Sequence, residues 1–523
     1  MEIGMKISAN PSDSSAAEIR RALDSARLAA NDWRREPVRK RAAAAKKFAN
    51  LLADDYQSFC DALDHPERRD DRESLSAEIL PLASAAHFLG RRAVQILAPR
   101  YPRRSDRPFW LGRIQSSVRH EPWGLILIIG TWNYPLFLTG VQLLQALVAG
   151  NAVVIKPAEG SAAITARLVE TCVAAGFPSS LIVTTDCDVS AAASVIRCGV
   201  DKVVLTGSSQ TGRAVARSLA DGPTPSIMEL SGCDSVIVLP DANLERVVRG
   251  LAFGTALTSG ATCMAPRRVI VVGDIWNVFY RLLEQRMQRS AKERFLVRTS
   301  TFKLLQPLIE NAIESGARFL HADMQTQFEQ AAAAVHAPDE SGIKLTMELA
   351  ALVLVDVHPS MNIAQSDFFA PLFVVMRAAR DSDAIDIDQL CPYALTSSIF
   401  GSVLRCETVA REIEAGCVVI NDLIAPTADP RVPFGGWKAS GFGVTRGNEG
   451  LLEMTRPRTV VKRRGNWLPH LDRVEPTDAQ LLAGLLQCSY AATWKQRIRG
   501  MAKIWSAIRN RKKPSGQSET DVD

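Results

Sequence analysis

The stretch EPWGLILIIGTWNYPLFLTGVQLLQALVAGNAVVIKPAE, Glu121–Glu159, decides the fold. Between Trp123 and Ile155 it carries no charged residue, a run long enough to cross a bilayer. Asn133, Tyr134, Pro135, Gln142, Gln145 and Asn151 interrupt that run, and its pattern changes from strand (124–129) to helix after Pro135 and back to strand (152–155). Short strands that are apolar on both faces belong to parallel sheets covered on both sides. The stretch therefore predicts one strand–helix–strand unit of a buried sheet.

The same alternation continues outward. A helix from Ser161, a strand over 181–184, another helix and a strand over 202–206 follow, and strands alternating with helices imply right-handed crossovers and a doubly wound α/β sheet. Upstream, Ile19, Leu23, Ala26, Ala30 and Trp33 recur at helical spacing, as do Ala44, Phe48, Leu51 and Leu52; the first hundred residues read as a helical layer. Downstream, Asn243 is placed to cap a helix running toward Thr258, which leaves SGATC (259–263) in the loop where that helix stops. A second alternating region reaches Asn421, and the glycine-rich run PFGGWKASGFG (433–443) follows it. A chain of 523 residues exceeds one ordinary core, and this region reads as a second domain of the same class. No internal repeat stands out.

Composition excludes several classes. Apolar residues at 47% with 23% charged match a soluble globular protein. The net charge of +6 lies almost wholly in the tail, where eight Lys and Arg from Lys495 to Lys513 face only Glu519, Asp521 and Asp523. The body thus lacks the basic stripe of a nucleic-acid binder. Ten cysteines without a CxxC pair or a zinc-type spacing with His, and no secretory leader, predict no metal site and a reducing, cytoplasmic location.

Among the residues able to carry chemistry, Cys263 sits amid small residues in a loop after a helix, where a backbone amide can face a reacting carbonyl; Cys233 is its best decoy, since a free cysteine is commonly a small buried hydrophobe. Glu229 in MELSG should end a strand at the same crevice, where desolvation would raise its pKa toward that of a general base. Asn133 follows a buried strand, and its amide could donate to an oxyanion. GSSQTG (207–212) joins a strand to a helix N-terminus and so can face a phosphate, although it lacks the middle glycine of the usual dinucleotide fingerprint. Lys156 and Glu159 end another strand of that sheet and could meet ribose hydroxyls.

EPWG, GTWNYP, AGNAVVIKPAE, LTGSSQTG, MELSG, SGATCMAPRR, SDFFAPL, VVIND and PFGGWKASGFG follow one another in the order and at about the spacing of the aldehyde dehydrogenase superfamily, from about Arg20 to Val461. The chain resembles that family, and within it the fatty or dimeric class. The resemblance implies a fold of two doubly wound domains with a small β oligomerisation arm: a dinucleotide-binding domain over 1–104 and 121–230, a catalytic domain over 231–430, and an arm from 105–120 and 455–465 that makes a homodimer or homotetramer. It implies Cys263 as nucleophile, Asn133 with the Cys263 backbone amide as oxyanion donors, and Glu229 as the base that hydrolyses a thioester. For NAD, or NADP, it implies contacts from Trp132, Lys156, Glu159, Gly207, Ser208, Gly212, Asp367 and Phe369.

There are departures. Asp367 stands where the family has a glutamate on the nicotinamide ribose, Ala370 replaces the following glycine, Ala261 replaces a glutamine two residues before the cysteine, and Ser231 occupies a glycine position. They keep a catalytically silent scaffold as one alternative. An acylating enzyme passing its thioester to coenzyme A is another, against which Glu229 speaks, since such relatives lack the base. The tail over 478–513 is separate: Trp494, Ile498, Met501, Trp505 and Ile508 fall on one face of a helix flanked by cations, which reads either as a membrane-surface element or binder of an acidic partner, or as a stripe packed on protein. The last ten residues are polar and expected to be disordered.

Overall fold

The computed structural model describes residues 5–7, 13–63, 68, 70–290, 292–336, 345–464, 468–471 and 474–510; the expected disordered end lies outside them. The chain forms two compact units, one of Met1–Ala98 with His120–Pro457, the other of Pro99–Arg119 with Arg458–Asp523.

The first unit holds two seven-stranded sheets. In one, Leu125–Ile129 pairs in parallel with Ala152–Lys156 on one side and Lys202–Gly207 on the other. Ile182–Thr185 and Ser226–Leu230 extend the two flanks. Both Leu125–Ile129 and Ala152–Lys156 are buried along their whole length, which explains why they carry no alternation. Asn151 fixes their start: its Oδ1 accepts from the Gly124 amide at 2.9 Å, and its Nδ2 donates to the carbonyls of Ala146 and Met454. The order reverses at Leu125–Ile129, because the chain lays its next strands on one side and then returns to the other. The crevice at that reversal is where open α/β sheets bind ligands.

Two strands in this sheet had no periodic signal. Met5–Ile7 pairs with Ile182–Thr185 at one edge, within a region read as helical. Gly441–Phe442 pairs antiparallel with Ser226–Leu230 at the other edge, placing Gly441 opposite Glu229. The glycine is required there: its φ is +109°, and a Cβ would run into the Met228 carbonyl.

The second sheet runs in the order Arg318–Phe319, Leu352–Val355, Leu372–Ala378, Arg268–Val272, Ser235–Val238, Thr396–Phe400 and Cys417–Ile420, parallel throughout except for Arg318–Phe319. The predicted cap is present, with Asn243 Oδ1 accepting from the Arg246 amide at 3.0 Å at the head of helix Leu244–Ala256. Helices Asp13–Trp33, Val38–Asp54 and Leu80–Ile96 form the N-terminal layer, and Trp33 ties it to the first sheet's helix through a 2.8 Å bond to the Leu147 carbonyl.

The strands expected to form an arm, Ile114–Pro122 and Thr455–Arg463, pair with each other; their 114–119 and 458–463 portions belong to the second unit. The tail is two helices, Asp478–Tyr490 and Trp494–Asn510. Among the described residues no helix is long and apolar enough to cross a membrane.

Candidate active site

A cavity of about 1130 Å³ opens at the carboxyl ends of the first sheet's strands, between them and loops of the second sheet. Cys263, Glu229, Asn133, Trp132, Lys156, Glu159, Gly207, Ser208, Asp367 and Phe369 all line it. Gly212 lies just behind the wall. Cys233 does not line it; it is buried, with its thiol 3.7 Å from the Ala364 carbonyl.

The cysteine loop is held in an unusual conformation. After helix Leu244–Ala256, Thr258, Ser259 and Gly260 take φ values of 49°, 53° and 76°, a left-handed run that is strained for the first two. Only glycine fits the third position, because a Cβ there would lie 2.4 Å from the Ala370 carbonyl carbon. Partners over-determine the turn. Glu73 accepts from the Thr258 amide at 3.1 Å, the Tyr134 hydroxyl sits 2.5 Å from Thr262 Oγ1 and 3.1 Å from Thr258 Oγ1, and buried Arg267 donates to the carbonyls of Gly260 at 2.5 Å and Ala370 at 2.7 Å. Burial pushes the Cys263 thiol up to about 12, with the charges of Asp234 and Glu229 adding to the shift. Arg446 and the Met264 amide act in the opposite direction.

Asn133 is brought to this loop from the end of Leu125–Ile129. Its Oδ1 accepts from Thr131 Oγ1 at 2.8 Å and its Nδ2 donates to the Ala261 carbonyl at 2.9 Å. That orientation leaves the second amide hydrogen for another acceptor. The helical layer fixes the backbone here: Arg68 donates to the Asn133 carbonyl at 3.1 Å and pairs with Glu78, while Glu78, fully buried, accepts from the amides of Leu136 and Phe137 at 2.7 and 2.8 Å.

Glu229 is buried near the end of Ser226–Leu230. Its carboxylate accepts from Gln142 Nε2 at 3.1 Å, Thr206 Oγ1 at 3.3 Å and the Thr445 hydroxyl. Burial raises its pKa, and Thr445, Arg446, Thr206 and Gln142 oppose the shift. Burial is the larger effect, the condition under which a carboxylate becomes a stronger base than in water.

At the other end of the cavity, Ser208 caps helix Ser209–Leu219, accepting from the Thr211 amide at 3.1 Å. Gly212 lets that helix settle on the sheet, since a Cβ would lie 2.7 Å from Leu230 Cδ1. Lys156 is buried at its strand end and Glu159 is exposed. Burial lowers the Lys156 pKa against the raising effect of Cys187, Asp188 and Glu159. Trp132 packs on Phe369 with ring centroids 5.7 Å apart, and Asp367 Oδ1 accepts from the Tyr393 hydroxyl at 2.9 Å. Among the described residues no His, Cys, Asp or Glu cluster could hold a metal ion.

A thiol, an amide and a carboxylate thus line one crevice of a doubly wound sheet. A profile of the aldehyde dehydrogenase family matches residues 4–460. The chain belongs to the aldehyde dehydrogenase family. This dehydrogenase is similar to a 4,4'-diapolycopene aldehyde oxidase of Methylomonas sp, 29% identical over 464 residues covering 87% of this chain and 85% of the relative. It is also similar to a succinate-semialdehyde dehydrogenase [NADP(+)] of Deinococcus radiodurans, 29% identical with coverages of 85% and 90%. Among solved structures, betaine aldehyde dehydrogenase of Staphylococcus aureus in complex with NAD+ shares its fold with a TM-score of 0.76 at 22% identity, covering 88% of this chain and 90% of that one. The chain is accordingly an NAD(P)-dependent oxidoreductase that acts on an aldehyde.

Most of the residues that line or brace the dehydrogenase cavity wall beyond those named above were not singled out in the sequence. Gln142, Thr206 and Thr445 surround Glu229; Arg68, Glu73, Glu78 and Arg267 brace the two loops. Arg446 is buried in the wall, its guanidinium 4.2 Å from the Phe434 ring centroid and donating to the Thr427 carbonyl. Gln142 stood out beforehand as a polar interruption of an apolar run, and Thr206 and Arg267 lay within motifs of the family resemblance.

Proposed function

We propose that the enzyme oxidises an aldehyde to a carboxylic acid through a thioester on Cys263, which water activated by Glu229 hydrolyses. The observation that carries this reading is the shared cavity wall, with a desolvated carboxylate, a cysteine and an amide donor converging on it. Cys263 gives up its thiol proton to solvent and its sulfur bonds to the aldehyde carbon, while the carbonyl electron pair moves onto oxygen, where the Asn133 amide and the Cys263 backbone amide stabilise the oxyanion. A nicotinamide dinucleotide, held by the residues at the far end of the cavity, would supply the hydride acceptor for this oxidation. Glu229 then takes a proton from the attacking water, and the thiolate departs.

The residues at the far end of the cavity fit such a cofactor. The cradle that Gly212 permits brings a helix N-terminus, where backbone amides and the dipole favour phosphate, to the cavity beside Gly207 and Ser208. Lys156 and Glu159 are the candidates for the adenosine ribose, Asp367 and Phe369 for the nicotinamide side, and Trp132 for the cleft between. The walls near Cys263 are largely apolar, formed by Phe137, Leu138, Phe253, Leu257, Met264, Ile424 and Phe434, which suits aliphatic aldehydes.

The test is turnover of aliphatic aldehydes of increasing chain length, with the product identified. Acid and reduced cofactor should appear in equal amounts, and Asn133→Ala should lower kcat by about two to three orders of magnitude, the usual loss of one oxyanion donor. Acyl-coenzyme A as the product, or cofactor binding without turnover, would overturn the reading.

NAD is expected to be preferred over NADP. The exposed carboxylate of Glu159 can accept from both ribose hydroxyls and repels a 2′-phosphate. Comparing kcat/KM for the two cofactors, Glu159→Gln should narrow the preference several-fold; a large advantage for NADP in the unmodified enzyme would contradict the electrostatic argument.

A further inference from the structure

The C-terminal unit ends in a helical hairpin that the dehydrogenase chemistry does not use. Helices Asp478–Tyr490 and Trp494–Asn510 pack together through glycines. A Cβ on Gly484 would lie 2.8 Å from the Gly500 carbonyl oxygen, and one on Gly500 would lie 2.5 Å from the Cys488 amide. Such close backbone approach uses up only the small residues. Gly484, Gly500 and Ala507 are buried and Ile504 packs against Gly484, whereas the other large apolar side chains of the second helix face away from this contact.

On the second helix Trp494, Ile498, Met501, Trp505 and Ile508 are all exposed, Trp494 by 67% and Trp505 by 65%. At about 100° per residue these five fall within an arc of about 80°. Arg497 and Arg509 border that arc, and Lys495, Arg499 and Lys503 lie further round. The first helix adds exposed Leu482, Leu486 and Tyr490 and carries no charge after Asp478. From Ala479 to Asn510 there is no acidic residue at all. Within its own helical hairpin this stripe is left uncovered.

We propose that this hairpin is a docking surface for an anionic lipid bilayer, lying in the interface plane with its apolar stripe in the headgroup–acyl boundary. The charge pattern selects that occupant. Two copies of the hairpin placed face to face would bring cations against cations with no acidic residue to pair them, whereas an anionic headgroup layer neutralises Arg497 and Arg509 at the borders of the stripe and attracts the cations further round. Tryptophans near both ends of the stripe suit an interface that is apolar below and wet above. Neither helix is long and apolar enough to span, so the hairpin rests on the surface.

The test is sedimentation of the full chain with vesicles of phosphatidylcholine containing phosphatidylglycerol, against vesicles of phosphatidylcholine alone, at low and high salt. Partitioning onto the anionic vesicles should fall at least about tenfold on neutral vesicles and again in high salt. The double variant Trp494→Ser/Trp505→Ser should lose at least about tenfold of the binding while aldehyde turnover in solution stays unchanged, so the result is independent of the proposed reaction. Equal binding to both vesicle types, no binding by the full chain, or binding retained after truncation following Pro476 would overturn the proposal. So would concentration-dependent self-association that the tryptophan variant abolishes in the absence of vesicle binding, which would assign the surface to a second copy.

Discussion

Cys263→Ala is expected to lower aldehyde oxidation by at least about four orders of magnitude, the loss typical of removing a nucleophile whose partners remain, while dinucleotide affinity changes little. The separation follows from the architecture. Cys263 sits on a loop braced by Tyr134, Glu73 and Arg267, whereas Lys156, Gly207, Ser208 and Gly212 belong to strands and a helix of the first sheet. Removing one sulfur from a cavity wall leaves those elements in place. Steady-state turnover together with a cofactor-binding titration checks both halves. Undiminished turnover would remove Cys263 from the mechanism, and loss of dinucleotide binding would mean the substitution acts through the loop's structure.

Glu229→Gln is expected to lower steady-state turnover by about two to four orders of magnitude while sparing the first half of the reaction. A stoichiometric burst of reduced cofactor should appear, and intact mass should show an acyl group retained on Cys263. The amide is nearly isosteric, and the hydroxyls of Thr206 and Thr445 can rotate from donating to accepting, so the wall should persist. The pH profile gives a second readout. Glu229 works as a base only when ionised, and burial raises its pKa; deacylation should therefore fall as pH drops through that raised value. The glutamine variant should lack this limb. Neither burst nor adduct would assign Glu229 a role before thioester formation.

Much of the fold could be read from local pattern. The uncharged run of 123–155 resolved into strand, helix and strand because Asn133, Tyr134, Pro135 and Asn151 fall between the elements, and Leu125–Ile129 and Ala152–Lys156 occupy nearly the residues expected. The Asn243 cap and the loop carrying Cys263 followed from helix-end chemistry. Where local pattern failed, the deciding contacts were remote. Met5–Ile7 and Gly441–Phe442 are strands because each adds to an existing edge, and short segments without alternation acquire that role from the partner alone.

The candidate site divides in the same way. Cys263, Glu229 and Asn133 could be singled out one by one, each from its neighbours in the chain and from the family resemblance, because the loop after a helix and the end of a buried strand are local features. What surrounds them is not local. Thr445 reaches Glu229 across 216 positions, Glu73 reaches the Thr258 amide across 185, and Arg68 reaches the Asn133 carbonyl across 65. A single hydrogen-bonding side chain has no periodicity, so nothing in its own segment shows which distant backbone group it will meet. The sequence by itself determined the central sheet strands, the candidate site residues and the amphipathic tail. Only the tertiary structure decided how strongly Glu229 is desolvated, what holds the strained turn before Cys263, and that the tail folds back on its glycines with its tryptophans outward, because each of these depends on which surfaces close packing leaves without water.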